Sequence, residues 1–140
     1  MQKLTCVLLV DDDQTTNYLN QLLLKRLGIT DNLLTALNGQ EALDLLQSHS
    51  REASNECPAL ILLDVKMPVM DGFAFLAAYE KLQIEQKCAT IIVMLTTSLH
   101  PQDVERVKQL NIAGFLNKPL TAEKLNQVLK SHFDRQLPEH

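Results

Sequence analysis

Apolar residues along this chain fall into two alternating patterns. Short uninterrupted runs, such as Cys6–Val10, Leu60–Leu63 and Ile91–Leu95, are separated by longer stretches in which apolar positions recur every three or four residues. The runs read as strands buried on both faces of a parallel sheet, and the periodic stretches as amphipathic helices. After the first strand, Leu19, Leu22, Leu23 and Leu27 form an apolar stripe that Gly28 stops. A second strand near Leu33–Leu37 leads through Asn38-Gly39 into a helix with Ala42, Leu45 and Leu46 inward, and the polar stretch from Ser48 to Pro58 reads as a surface loop. The third strand runs straight into Asp64. A turn over Met67–Gly72 follows, with Asp71-Gly72 the expected point of positive φ, then a helix bearing Phe75, Leu76, Tyr79 and Leu82. The fourth strand ends at Thr96-Thr97-Ser98, and Pro101 suits the first turn of a helix with Val104, Val107 and Leu110 inward. A fifth strand around Gly114–Leu116 ends at Asn117-Lys118-Pro119, before a last helix from Thr121 with Leu125, Val128, Leu129 and Phe133 on one face.

The resulting (βα)5 order predicts an α/β doubly wound fold, a parallel sheet between two layers of helices. All strands of such a sheet point their carboxyl ends to one edge, where ligands bind at the reversal of strand order. The residues that finish strands are therefore the candidates for chemistry. Strand one finishes at Asp11-Asp12-Asp13, strand three at Asp64, strand four at Thr96 and strand five at Lys118.

Length and composition narrow the function classes. The 140 residues fit one domain spanning 1–140, with a core of about 4–133 and a short tail, so any effector is expected on another chain. A net charge of −4, with basic residues scattered, argues against nucleic acid or an anionic membrane as a direct partner. No apolar run approaches the length of about 20 that a membrane span needs. The N-terminus lacks the pattern of a secretory signal, so the cytoplasm is the expected compartment. Cys6, Cys57 and Cys88 cannot all pair and show no C-x-x-C spacing, so they read as free thiols with no disulfide. The four histidines stand apart from one another and form no zinc ligand set.

Carboxylates crowded at one rim repel each other unless a cation sits among them. Mg2+ suits the set, because it uses one or two carboxylates and completes its shell with water and phosphate oxygens. Lys118 adds a fixed ammonium for an anionic group beside the metal. Such a site is arranged for phosphoryl transfer onto a reachable carboxylate, and Asp64, alone at the end of a central strand, is the candidate nucleophile.

Val10-Asp11-Asp12-Asp13, Leu63-Asp64-Val65-Lys66-Met67-Pro68 with Asp71-Gly72, Thr96-Thr97 and Phe115-Leu116-Asn117-Lys118-Pro119 together resemble the motif set of the receiver domain of two-component response regulators. The likeness is to the CheY-like, stand-alone type and covers about residues 4 to 133. It implies a five-stranded sheet in the order 2-1-3-4-5. It also implies that Asp64 accepts a phosphoryl group from a sensor histidine kinase or a histidine phosphotransfer protein. By the same resemblance Asp12 binds Mg2+ directly, Asp11 binds it mainly through water, and the main-chain carbonyl of Lys66 is a further ligand beside Asp64. Lys118 pairs with the phosphoryl group, Thr96 gives it a hydroxyl, and Phe115 is the aromatic that moves with Thr96. The result is a signalling module rather than an enzyme, read by an unknown downstream protein or passing the phosphoryl group onward. The rim around Thr16 and Leu120 is where such domains meet the phosphodonor. Two positions depart from commoner choices: Phe115 lacks a tyrosine hydroxyl, and Thr97 is bulkier than the usual alanine; Lys66 and Ser98 sit where the family tunes hydrolysis rate.

Each residue also has a plain structural reading. Asp13 caps a helix, Thr96 ends a strand, Ser98 caps a helix, Lys118 precedes a loop proline whose peptide bond the resemblance allows to be cis, and Phe115 fills core. Other functions compete as well. Asp11-Asp12-Asp13-Gln14-Thr15 satisfies the D-x-D-x-T signature of haloacid-dehalogenase-type Mg2+ phosphatases, in which Asp11 is the nucleophile and Asp13 the acid/base. An interaction scaffold without chemistry is a further alternative. Flavin binding is disfavoured, since the first loop offers acids where a phosphate needs glycines and hydroxyls.

Overall fold

The computed structural model describes residues 4, 6–50, 60–65, 69–81, 91–96, 105, 114–118 and 120–132. In chain order the elements are β1 (Val7–Val10), α1 (Gln14–Leu27), β2 (Leu33–Ala36), α2 (Gly39–Ser50), β3 (Leu60–Asp64), α3 (Gly72–Lys81), β4 (Ile91–Thr96), β5 (Gly114–Asn117) and α4 (Ala122–His132). The strands form one parallel sheet in the order β2-β1-β3-β4-β5, as expected. The chain leaves β1 toward β2 and returns past it to β3, so strand order reverses between β1 and β3. That crevice is where ligands bind in open sheets of this kind. Among the described residues no helix is long and apolar enough to cross a membrane.

Alternate residues of the continuous apolar strands feed two cores. Leu8, Val10, Ile61, Leu63, Ile92 and Met94 face one side, where α2 and α3 add Ala42, Leu43, Leu46, Phe73, Phe75 and Leu76. Val7, Leu9, Leu60, Leu62, Val93 and Leu95 face the other, where α1 contributes Leu24 and α4 contributes Leu125, Val128 and Leu129. Burying each of the Val, Leu, Ile, Phe and Met side chains among these stabilises the fold by about 1.5–3 kcal/mol before entropy is counted.

Capping explains where the helices start. Asp13 accepts from the Thr15 amide and from Thr16 Oγ1, Asn38 Oδ1 from the Glu41 amide, Asp71 Oδ1 from the Ala74 amide, and Thr121 Oγ1 from the Lys124 amide. Gly28 ends α1 at φ 66, the left-handed cap the sequence calls for.

Three expectations need correction. The inward face of α1 is Asn17, Asn20 and Leu24, while Leu19 and Leu22 are 56% and 46% exposed. Leu23 and Leu27 of the expected stripe pack, half-buried, against the second core, whereas side-chain hydrogen bonding lets Asn17 take an inward position that the stripe assigns to leucine. Positive φ in the loop before α3 falls on Val69 (φ 68), not on Asp71-Gly72. Gly72 serves space instead: a Cβ there would lie 2.7 Å from the Asp64 carbonyl oxygen and 2.9 Å from Met94 Cε. Finally, Ser48–Ser50 continue α2. Leu82, Phe133, Cys57, Cys88 and the helix expected over Val104–Leu110 lie outside the described residues, save that Glu105 is helical.

Candidate functional site

β1 ends at Val10, and Asp11 follows it with its amide donating to the Ala36 carbonyl at the end of β2 (3.1 Å). The Asp11 side chain is buried. Its Oδ1 accepts from the Asp13 amide (2.9 Å), which turns the chain into the cap of α1. Asp12 stands exposed between them. Asp64 is the last residue of β3, in register with Leu95 of β4. One ligand oxygen from each of Asp11, Asp12 and Asp64 can be chosen so that all lie within 4.8 Å of one another. Lys118, one residue past β5, reaches into this group. Its Nζ donates to Asp11 Oδ2 at 2.7 Å and lies 3.4 Å from Asp64 Oδ1. The Lys118 amide donates to the Thr96 carbonyl (2.7 Å), which fastens the loop carrying the ammonium to the end of β4.

The electrostatics follow from burial and crowding. Burial, and then the negative charge of Asp11, push the Asp64 carboxyl up to about 6, with Lys118 offsetting part of the effect. Burial alone would lower the Lys118 ammonium, but its hydrogen bond to Asp11 and the charge of Asp64 hold it above the ordinary lysine range. Among the described residues the three clustered carboxylates have one ammonium beside them, that of Lys118, which leaves a surplus of two negative charges when all are ionised. A hard divalent cation with oxygen ligands fits that donor set.

Thr96 is buried at the end of β4. Phe115 lies on the edge strand β5 and is 43% exposed, so it is not core. Lys66, Thr97, Ser98 and Pro119 lie outside the described residues, and with them the carbonyl ligand and the peptide-bond geometry before Pro119. Asp13 is committed to the helix cap, where hydrogen bonds from Thr16 and Thr15 hold its carboxyl below the usual range. It is absent from the converging set among the described residues.

Sequence reasoning missed Asn17, which is buried and bonded to the Asp11 and Ala36 carbonyls, and the close approach of Gly72 to Asp64. A polar residue on the inward arc of α1, one turn past the acids, was the available signal for Asn17.

A family model for the response regulator receiver domain matches residues 7–130. The chain belongs to this family. Two-component response regulator ARR22 of Arabidopsis thaliana is 38% identical over 136 residues, covering 95% of this chain and 87% of that protein. A probable chemotaxis protein CheY of Rhizobium etli is 31% identical over 127 residues, 91% of each chain. The crystal structure of a two-component response regulator from Cytophaga hutchinsonii superposes with a TM-score of 0.84 at 24% identity over 96% of this chain and 100% of that one, which shows the shared fold. As a receiver domain the protein is a phosphoacceptor signalling module of two-component systems, and receiver domains are phosphorylated by histidine kinases and bind Mg2+ through acidic residues. Membership sets aside the phosphatase and flavin readings.

Proposed function

We propose that Asp64 is the phosphoacceptor and that Asp11, Asp12 and Asp64 hold Mg2+, with the main-chain carbonyl of Lys66 as a further ligand. The carrying observation is the convergence of those three carboxylates within 4.8 Å of one another, two of them held by Lys118 Nζ, 2.7 Å from Asp11 and 3.4 Å from Asp64.

An Asp64 oxygen attacks phosphorus in line with the leaving imidazole of a phosphohistidine. The new O–P bond forms as the P–N bond breaks, and the donor histidine leaves with the electron pair and takes up a proton. When bound, Mg2+ supplies positive charge that lets the carboxylates coexist and offsets charge on the transferring oxygens. Lys118 moves its ion pair from Asp11 and Asp64 to the phosphoryl group, and the Thr96 hydroxyl donates to the same group. Because the Lys118 amide is bonded to Thr96, a shift at either residue is transmitted to β5, where Phe115 has room to change position by packing alone. The domain assists only its own phosphorylation and dephosphorylation.

The donor is a histidine kinase or a histidine phosphotransfer protein. A cleft of about 700 Å³ adjoins the acids, with Thr16, Leu19, Leu22, Leu120 and Lys118 among its walls, and the exposure of Leu19 and Leu22 supports donor docking there. Incubation with a small acyl phosphate and Mg2+, followed by peptide mapping, tests the acceptor. Base-labile phosphate on the Asp64 peptide, lost in Asp64→Asn, is expected. Label on Asp11 contradicts the proposal, as does no label under any donor, the result an inert scaffold would give.

A further inference from the structure

Asn17 sits in the first turn of α1, 5% exposed, where an amphipathic helix ordinarily turns an apolar side chain inward. Its Nδ2 donates to the Asp11 carbonyl at 2.9 Å and to the Ala36 carbonyl at 3.2 Å. Its backbone amide donates to the Asp13 carbonyl at 3.1 Å. One residue thus grips the carbonyls on both sides of Asp12 and ties the first of them to the end of β2. The Ala36 carbonyl also accepts the Asp11 amide, so the peptide groups on both sides of Asp11 are anchored to one point on the neighbouring strand.

The same side chain is costly. Its Oδ1 is buried and finds no hydrogen-bond partner among the described residues, an arrangement that opposes folding. Local rules broken without a gain in stability mark positions held for geometry.

We propose that Asn17 is a positioning residue, which sets Asp11 and Asp12 at the spacing from Asp64 that a divalent cation requires. This rests on the Mg2+ reading of the site. Asp12 is an exposed loop residue with no hydrogen bond to the sheet among the described residues, so its place depends on the carbonyls beside it. Partners that orient ligands from behind typically change metal affinity by about 10–100-fold when removed.

Calorimetric titration of Mg2+ into the unphosphorylated full chain tests this, with wild type, Asp12→Ala, Asn17→Ala and Asn17→Ser compared. Wild type is expected to bind and Asp12→Ala to lose binding. Asn17→Ala should weaken Mg2+ by about tenfold or more with an unchanged circular dichroism spectrum. Asn17→Ser, with one donor for two carbonyls, should fall between. In the metal-free proteins, amide hydrogen exchange at Asp11 and Asp13 should accelerate in Asn17→Ala relative to amides within β3. A residue that merely supports the fold would lower the melting temperature while leaving the Mg2+ affinity unchanged, and that result overturns the inference without touching the site. Should Asn17→Ala fail to fold, wild-type affinity in Asn17→Ser overturns it equally. Wild type that ignores Mg2+, or Asp12→Ala that binds as well as wild type, sinks the magnesium reading and the positioning role with it.

Discussion

At Asp64, burial and the charge of Asp11 oppose ionisation together, and Lys118 offsets only part of that opposition. The folded carboxyl titrates near 6 against an ordinary value of 3.8, so the unfolded chain loses its proton first as pH rises. The resulting penalty on folding is absent below about pH 4, grows through the interval and is complete above about pH 6. Asp64→Asn should therefore stabilise the Mg2+-free protein at pH 8 by ~1–2 kcal/mol, a figure discounted for solvent screening, and leave it unchanged near pH 4. Thermal denaturation in chelator at the two pH values checks this, and a destabilised variant at pH 8 would contradict it. Val69 carries a second conflict, a β-branched residue at φ 68 with 84% of its surface exposed. Little burial is lost on removing the side chain, so Val69→Gly should raise stability by about 0.5–1 kcal/mol in denaturant titration. The acids were legible in the sequence because crowded carboxylates at strand ends have few structural excuses. Val69 was not, because valine signals no left-handed backbone and the neighbouring Asp71-Gly72 signals one strongly.

Among the elements, two glycines separate structural from functional cost. A Cβ at Gly28 meets nothing within 4 Å, so only the left-handed backbone penalises Gly28→Ala, by about 1 kcal/mol, with phosphoryl uptake unaffected. Gly72→Ala drives a Cβ against the Asp64 carbonyl and lies 3.1 Å from Val65 Cα, so overpacking should cost about 1–3 kcal/mol. It should also slow phosphorylation several-fold, because the backbone that must yield carries Asp64. Stopped-flow rates and melting curves on both variants distinguish the cases, and equal phosphorylation rates would refute the coupling. Strands were legible throughout, since β1, β3 and β4 are buried on both faces and admit only apolar residues before their terminal Asp or Thr. The inner face of α1 is only half legible, for the converse reason: Leu23 and Leu27 pack against the core as the periodicity predicts, but Asn17 and Asn20 take inward places it assigns to leucine, and Leu19 and Leu22 turn outward.

In the whole molecule, sheet order does what sequence adjacency cannot. Asp11 and Lys118 are 107 residues apart, and the order β2-β1-β3-β4-β5 brings them to 2.7 Å. The alternating pattern made that edge legible, but the pairing of Lys118 with Asp11 more closely than with Asp64 depends on side-chain packing that no pattern encodes. Because the unfolded chain scatters the three carboxylates, Mg2+ should stabilise the protein, by about 2.7 kcal/mol at one hundred times its Kd, and should leave the melting temperature of Asp12→Ala unmoved. On the proposed reading, this converged set makes Asp64 the one carboxylate that takes a phosphoryl group. Intact-mass measurement after incubation with phosphoramidate, a small phosphorus–nitrogen donor, addresses it most directly. Wild type with Mg2+ should gain one phosphoryl group, and none should be gained with chelator or in Asp64→Asn; full uptake by Asp64→Asn, or uptake indifferent to Mg2+, would rule out Asp64 as the Mg2+-dependent acceptor.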